Sequence, residues 1–251
     1  MTKLRIFAVL LSAATLVACD KNAVQDITGP IAASRVKFFN FGVSAPGVHF
    51  YANDTKMAAI SSTSGIESTS GTAYGGASSG GFYSAIAPGS VKLSGKIAAT
   101  IDKDLIISAV TTTIESGKAY SFYMSGLYDA TAKSVEAFVV EDPYPAAMDY
   151  TQAYVRFVNA VSNSSPMTLY AKNTVTLAEA PVGAIIAYKG GGAFVAVPAG
   201  VYDLGARESG ATTNKIGRLA VSFSAGRVYT IAARGNITVT TTQALDNTTN
   251  R

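Results

Sequence analysis

Few side chains in these 251 residues are suited to bond-making chemistry: the chain has one cysteine, Cys19, and one histidine, His49. Cys19 follows small Ala18, the twelve-residue, mostly apolar run Ile6 to Val17, and the positive charges of Lys3 and Arg5. A basic start, an apolar run and a small residue at the cleavage point are the parts of an export signal. Twelve residues fall short of the roughly 20 needed to span a bilayer as a helix. His49 lies beside Phe50 on an expected strand, where a histidine packs more often than it catalyses. Gly76-Ala77-Ser78-Ser79-Gly80 spells the Gly-x-Ser-x-Gly of a nucleophile elbow. That motif needs a strand before it, a helix after it and a histidine later in the chain. Here His49 comes first and the surroundings are a Gly/Ser-rich stretch, so a loop is expected. Gly89 to Lys96 is no phosphate loop, because Ile97 stands where Ser or Thr would bind magnesium. Asp102-Lys103-Asp104 lacks the glycine turn and distal glutamate of a calcium loop and reads as a solvated hairpin tip.

Leu16-Val17-Ala18-Cys19 resembles the lipobox of bacterial lipoprotein signal peptides. The resemblance implies cleavage before Cys19, a diacylglyceryl group on its thiol and acylation of the new amino terminus. Two or more acyl chains anchor stably where one does so only marginally. It also accounts for an odd cysteine in an exported chain. Asp20 resembles the inner-membrane retention signal of enteric bacteria. The expected location is the bacterial cell envelope, membrane-anchored and facing periplasm or cell surface.

The remaining chain has no cysteine, and loss of Lys3 and Arg5 lowers the formal charge from +4 to +2. That is far from the concentrated basic face of a nucleic-acid binder. With 23 glycines, 13 tyrosines, 11 phenylalanines and no tryptophan, the composition favours strands and turns over helices.

The chain then repeats itself. Ser34-Arg35-Val36-Lys37-Phe38-Phe39-Asn40 matches Ala153-Tyr154-Val155-Arg156-Phe157-Val158-Asn159, and Phe50-Tyr51-Ala52 matches Leu169-Tyr170-Ala171. Ala85 to Leu93 parallels Ala196 to Leu204, and Gly117-Lys118-Ala119-Tyr120 parallels Gly226-Arg227-Val228-Tyr229. Four blocks in one order, too far apart for a solenoid unit, indicate tandem domains. The expected division is a signal peptide at 1–18, a lipidated tether at 19–33, domains at 34–141 and 153–243, a Pro143/Pro145 linker at 142–152, and a frayed tail at 244–251. Each copy reads as short strands with turn residues every 8 to 15 positions, the pattern of a sandwich or barrel. Val36, Phe38 and Asn40 share one face of the opening strand and Lys37 and Phe39 the other. Val182–Ala187 and Ile237–Thr241 are among the strands expected in the second copy. Ser61 to Gly81 has no counterpart there and is expected to be a long loop. Asn40 and Asn159 are placed to tie down the turn that follows. Tyr120 and Tyr229 are placed to lock a corner with a satisfied hydroxyl.

The Arg/Lys-Phe-x-Asn opening, the apolar-Tyr strand, the Pro/Gly turn and the Gly-x-x-Tyr strand resemble DUF4397, twice over nearly all of the exported chain. This resemblance implies all-β, antiparallel β-sandwich domains of the Ig-like or transthyretin-like kind, common in bacterial lipoproteins and surface proteins. It brings no catalytic residues and no cofactor or metal.

From Ala153 to Arg251 nine Lys/Arg face four Asp/Glu, a net of +5. Arg207, Lys215, Arg218, Arg227 and Arg234 make up most of the excess and are the candidate partner surface, for an envelope glycan or protein. The expected role is a non-enzymatic binding or structural module held to the membrane by its N-terminal lipid. The alternative is an accessory carbohydrate-active or peptide-hydrolysing enzyme, which would need two carboxyl groups roughly 5 to 10 Å apart in a cleft. Exposed tyrosines, such as Tyr74, Tyr83, Tyr123 or Tyr128, would favour binding.

Overall fold

Alternating residues of each strand reach opposite faces, and in the computed structural model this places two apolar faces together in each copy. The structure describes residues 34–57 and 68–251. The signal peptide, Cys19 and tether, and the 61–67 part of the Gly/Ser/Thr-rich stretch, lie outside the described residues. Among the described residues no helix is long and apolar enough to cross a membrane.

The first copy contains β1 (Ser34–Val43), β2 (Val48–Ala52), β3 (Thr55–Lys56), β4 (Gly76–Ala77), β5 (Ser84–Ile86), β6 (Gly89–Ile97), β7 (Ile106–Ile114), β8 (Ala119–Leu127) and β9 (Ala137–Glu141). The second contains β10 (Gln152–Ala160), β11 (Met167–Asn173), β12 (Glu179–Pro181), β13 (Val195–Pro198), β14 (Gly200–Glu208), β15 (Ile216–Phe223), β16 (Val228–Asn236) and β17 (Val239–Thr249). One sheet of the first copy runs β4-β1-β8-β9, with β5 also on β1, and the other runs β3-β2-β6-β7. The second copy repeats this as β13-β10-β16-β17 and β12-β11-β14-β15. Each copy is therefore a β-sandwich. Pairing is antiparallel except that β1 lies parallel to β8 and β10 parallel to β16, a departure from the all-antiparallel expectation.

Each sandwich has its own core. Val36, Phe38, Phe50, Leu93 and Phe122 fill the first, and Val155, Phe157, Leu169, Leu204 and Ile231 the second. The corner tyrosines behave as expected: Tyr120 accepts a hydrogen bond from Glu115 N–H at 3.1 Å and Tyr229 from Ser224 N–H at 3.0 Å. Gly117 and Gly226, which open those corners, have φ of 79° and 72°, the left-handed region where glycine avoids a Cβ clash. Asn40 donates to the carbonyls of Pro46 and Thr72, and Asn159 to that of Ile186 and to Ser164 Oγ. Each also accepts from the N–H two residues on, Gly42 or Val161.

Four expectations are corrected. The tail is not frayed: β17 continues to Thr249, paired with β16, and Leu245 is buried. Val182–Ala187 is not a strand; Ile186 makes only an isolated bridge to Met167. The stretch before Gly81 is not wholly a loop without a counterpart. Thr72 pairs with Val48 as Ile186 pairs with Met167, and Gly75 N–H and Lys189 N–H bond the carbonyls of Asn40 and Asn159. Finally, Asp142 at the head of the linker is 2% exposed, so it is a fixed part of the fold.

Candidate functional site

The outer faces of the opening strands meet. Lys37, Phe39 and Phe41 on β1, and Arg156, Val158 and Ala160 on β10, are all buried although they point away from their own cores. The described residues of both copies fall in one compact unit, with four sheets layered so that the two middle ones share this seam.

The seam is built twice from matching positions. Lys37 Nζ donates to the carbonyl of Thr249 at 2.8 Å, and Arg156 Nη1 donates to that of Glu141 at 2.7 Å. Thr249 and Glu141 are themselves equivalent, paired with the corner tyrosines Tyr229 and Tyr120. The Tyr83 ring covers Lys37 at 4.4 Å, and the Phe194 ring covers Arg156 at 4.8 Å. By their distance from β5 and β13 these two rings are also equivalent. Tyr74 donates across to the carbonyl of Thr242 at 2.6 Å, and its counterpart Tyr188 to Glu136 at 2.7 Å. The copies are thus related by a pseudo-two-fold axis, the symmetry of an isologous dimer interface.

The charges are settled within the seam. Asp142 forms an ion pair with Arg156 and accepts from Ser121 Oγ at 2.9 Å and Tyr83 Oη at 2.5 Å. Arg156 Nε donates to Thr230 Oγ1 at 2.9 Å. Tyr144 Oη lies within hydrogen-bond distance of two acceptors for its one proton, Tyr83 Oη at 2.9 Å and the carbonyl of Asn250 at 3.0 Å. Burial lowers the Lys37 ammonium to about 8, an effect Asp142 partly offsets. Burial, with the Asp142 charge beside it, pushes the Tyr83 phenol far above its ordinary value.

The apolar half of the seam is asymmetric in size. Phe39, Phe41 and Tyr123 of the first copy occupy the positions of Val158, Ala160 and Ala232 in the second, and all six pack together with Phe138. At one edge Tyr188 packs edge-on against Phe138. At the other a cleft of about 490 Å³ remains, lined by Phe39, Phe41, Phe82, Gly81, Asp246 and Thr248 among others. Asp246 receives Arg234 Nε at 2.5 Å, and Arg234 lies 4.6 Å from the Tyr74 ring centre. Burial raises the Asp246 carboxyl, against the lowering influence of Arg234. Two further clefts occupy equivalent open edges of the sandwiches: about 240 Å³ beside Ala52, Ile86 and Val91, and about 350 Å³ beside Ala171, Val197 and Tyr202.

The candidate basic residues do not converge. Arg207 pairs with both oxygens of Glu179 at 2.7 Å and lies over Tyr170. Arg218 donates to the carbonyl of Leu245, Arg234 is committed to the seam, and Lys215 and Arg227 are exposed on separate turns. Tyr123 is fully buried and Tyr74, Tyr83 and Tyr128 are half-buried, so these tyrosines form no exposed binding face. His49 is buried on β2. Ser78 begins a short 3₁₀ turn, Ser78–Gly81, with no α-helix after it. Asp102 lies in the β6–β7 turn, held by Lys133 at 2.7 Å. Among the described residues no three His, Cys, Asp or Glu side chains are grouped to hold a metal.

Sequence reasoning missed Asp142, Tyr83, Tyr144, Phe194 and Asp246 as seam residues. The available signal was the matched cation at Lys37 and Arg156, flanked by apolar residues on both parities of the strand.

Comparison with known proteins agrees with the duplication. The sequence model described as a domain of unknown function (DUF4397) matches residues 34–170 and again 153–251. No curated protein matches. Among solved structures, the Bacillus anthracis TIE protein aligns with 80% of this chain at 11% identity and a TM-score of 0.25. This chain spans 33% of the length of that one.

Proposed function

The chain belongs to the DUF4397 family, whose domains have no known function, and from that premise we propose that it is a non-catalytic binding or structural module of the bacterial cell envelope. The observation that carries this reading is the duplicated seam. Residues recurring in both copies, Lys37 with Arg156, Asn40 with Asn159 and Tyr120 with Tyr229, are spent on turns, corners and the joint. The buried carboxylate of Asp142 is paired with Arg156 and accepts hydrogen bonds from Tyr83 and Ser121, which suits a structural role.

The anchor in this proposal is the lipid on Cys19, and the partner class is an envelope glycan or protein. Metabolic labelling with a palmitate analogue tests the anchor. The wild-type protein should take the label and partition with membranes, and Cys19→Ser should lose both. Undiminished labelling of Cys19→Ser would overturn the lipid-anchor reading.

A further inference from the structure

The seam is closed at one edge and open at the other, and the difference is built from substitutions at equivalent positions. Through the pairing of β8 with β9 and of β16 with β17, Phe138 corresponds to Asp246 and Val140 to Thr248. At the closed edge Phe138 and Val140 pack with Tyr188. At the open edge their places are taken by a carboxylate and a hydroxyl. The chain also lengthens there. Ala77 pairs with Phe39 as Gly191 bridges to Val158, and Tyr83 corresponds to Phe194. Five residues therefore stand between the equivalent points in the first copy and two in the second. The longer connection is the turn in which Ser79, Gly80 and Gly81 all have positive φ, and it ends on Phe82, 77% exposed.

A packed joint needs none of these features. Together they give a concave site of a volume usual for small ligands, about 300–1,000 Å³, with an exposed ring on its rim and Asp246 and Thr248 in its wall. The one carboxylate is already paired with Arg234, so the site is close to neutral. It offers a flat apolar ring face beside hydroxyl and carboxylate groups. We infer that this open edge of the seam binds a saccharide, with one face of a pyranose ring against Phe82 and ring hydroxyls bonded to Asp246 and Thr248. The inference rests on the binding-module reading but not on the lipid anchor.

Isothermal titration of the detergent-solubilised full chain with tetra-N-acetylchitotetraose, cellotetraose and mannotetraose tests it. At least one oligosaccharide should bind. Phe82→Ala and Thr248→Val should each weaken binding at least about tenfold, equivalent to about 1.4 kcal/mol, and Phe82→Tyr should retain it. Phe82 is exposed, so its loss leaves the fold intact, and a circular dichroism melt matching wild type would establish that. No heat with any of the three at millimolar concentration, or binding indifferent to both substitutions, would overturn the inference. Binding of an unstructured peptide at the same place in preference to all three sugars would overturn it too. Failure of the sugar site would leave Cys19 labelling unchanged, so the two results are separable.

Discussion

Arg156 and Asp142 are both fully buried and form an ion pair. Removing one partner of such a pair leaves an uncompensated buried charge and costs about 3 to 5 kcal/mol. Arg156→Ala should therefore lower the urea-unfolding free energy by that amount, comparable with the about 3 to 5 kcal/mol expected for Phe157→Ala one position away. From the strand's two-face pattern alone the arginine side would be solvated and its loss nearly silent, under about 0.5 kcal/mol. A silent Arg156→Ala would return that reading and contradict the buried pair. Lys37 makes a pH-dependent prediction. Its ammonium titrates near 8 in the fold and near 10.4 in the unfolded chain. Between those values the unfolded chain holds the extra proton, so stability should rise with pH from about 8 towards 10. Above about 10 the buried phenols of Tyr83 and Tyr123, both raised by burial, stay protonated while unfolded tyrosines ionise, and stability should fall. Lys37→Met should flatten the rising limb and leave the fall. A rising limb unchanged in Lys37→Met would assign it elsewhere.

At the scale of elements, much was legible because one partner of each contact is local. The corner at Tyr229 reaches only five residues back, to Ser224 N–H. The turn at Asn159 is tied by the Val161 N–H two residues on. Tyr229→Phe should cost about 0.5 to 1.5 kcal/mol by removing that hydrogen bond, and the same substitution at Tyr120 should cost a like amount. A neutral result at both would show that the hydroxyls hold nothing. The strands least legible were those whose burial comes from the other copy or from backbone pairing alone. β17 reads Val239 to Thr249 with three threonines, Thr240 to Thr242, in its first four positions, and of its side chains only Leu245 enters a core. Its polar run carries no period-2 apolar signal, yet pairing with β16 along its length fixes it. β1 and β10 gave the opposite difficulty. Apolar residues stand on both parities of these strands because both faces are covered.

At the scale of the whole molecule, the repeats and the sandwich class were readable from matched blocks, and their joint was not. The seam depends on pairs such as Lys37 with Thr249 and Tyr74 with Thr242, separated by most of the chain. Its fit depends on bulk on one side meeting small residues on the other: Phe39, Phe41 and Tyr123 against Val158, Ala160 and Ala232. Nothing in either copy alone specifies that complementarity. The two copies are two cores made into one unit by this seam. Hydrogen exchange of the full chain, wild type beside Ala232→Asp, tests it most directly. Ala232 is 3% exposed, in the seam and outside both cores, so a carboxylate there strikes the joint alone. In the wild type β1, β8, β10 and β16 should exchange together at the slowest rate. Ala232→Asp should speed exchange in both copies, including β1 and β8, which lie in the copy that was not altered. Acceleration confined to the second copy, with β1 and β8 protected as in wild type, would show two independent domains that merely touch.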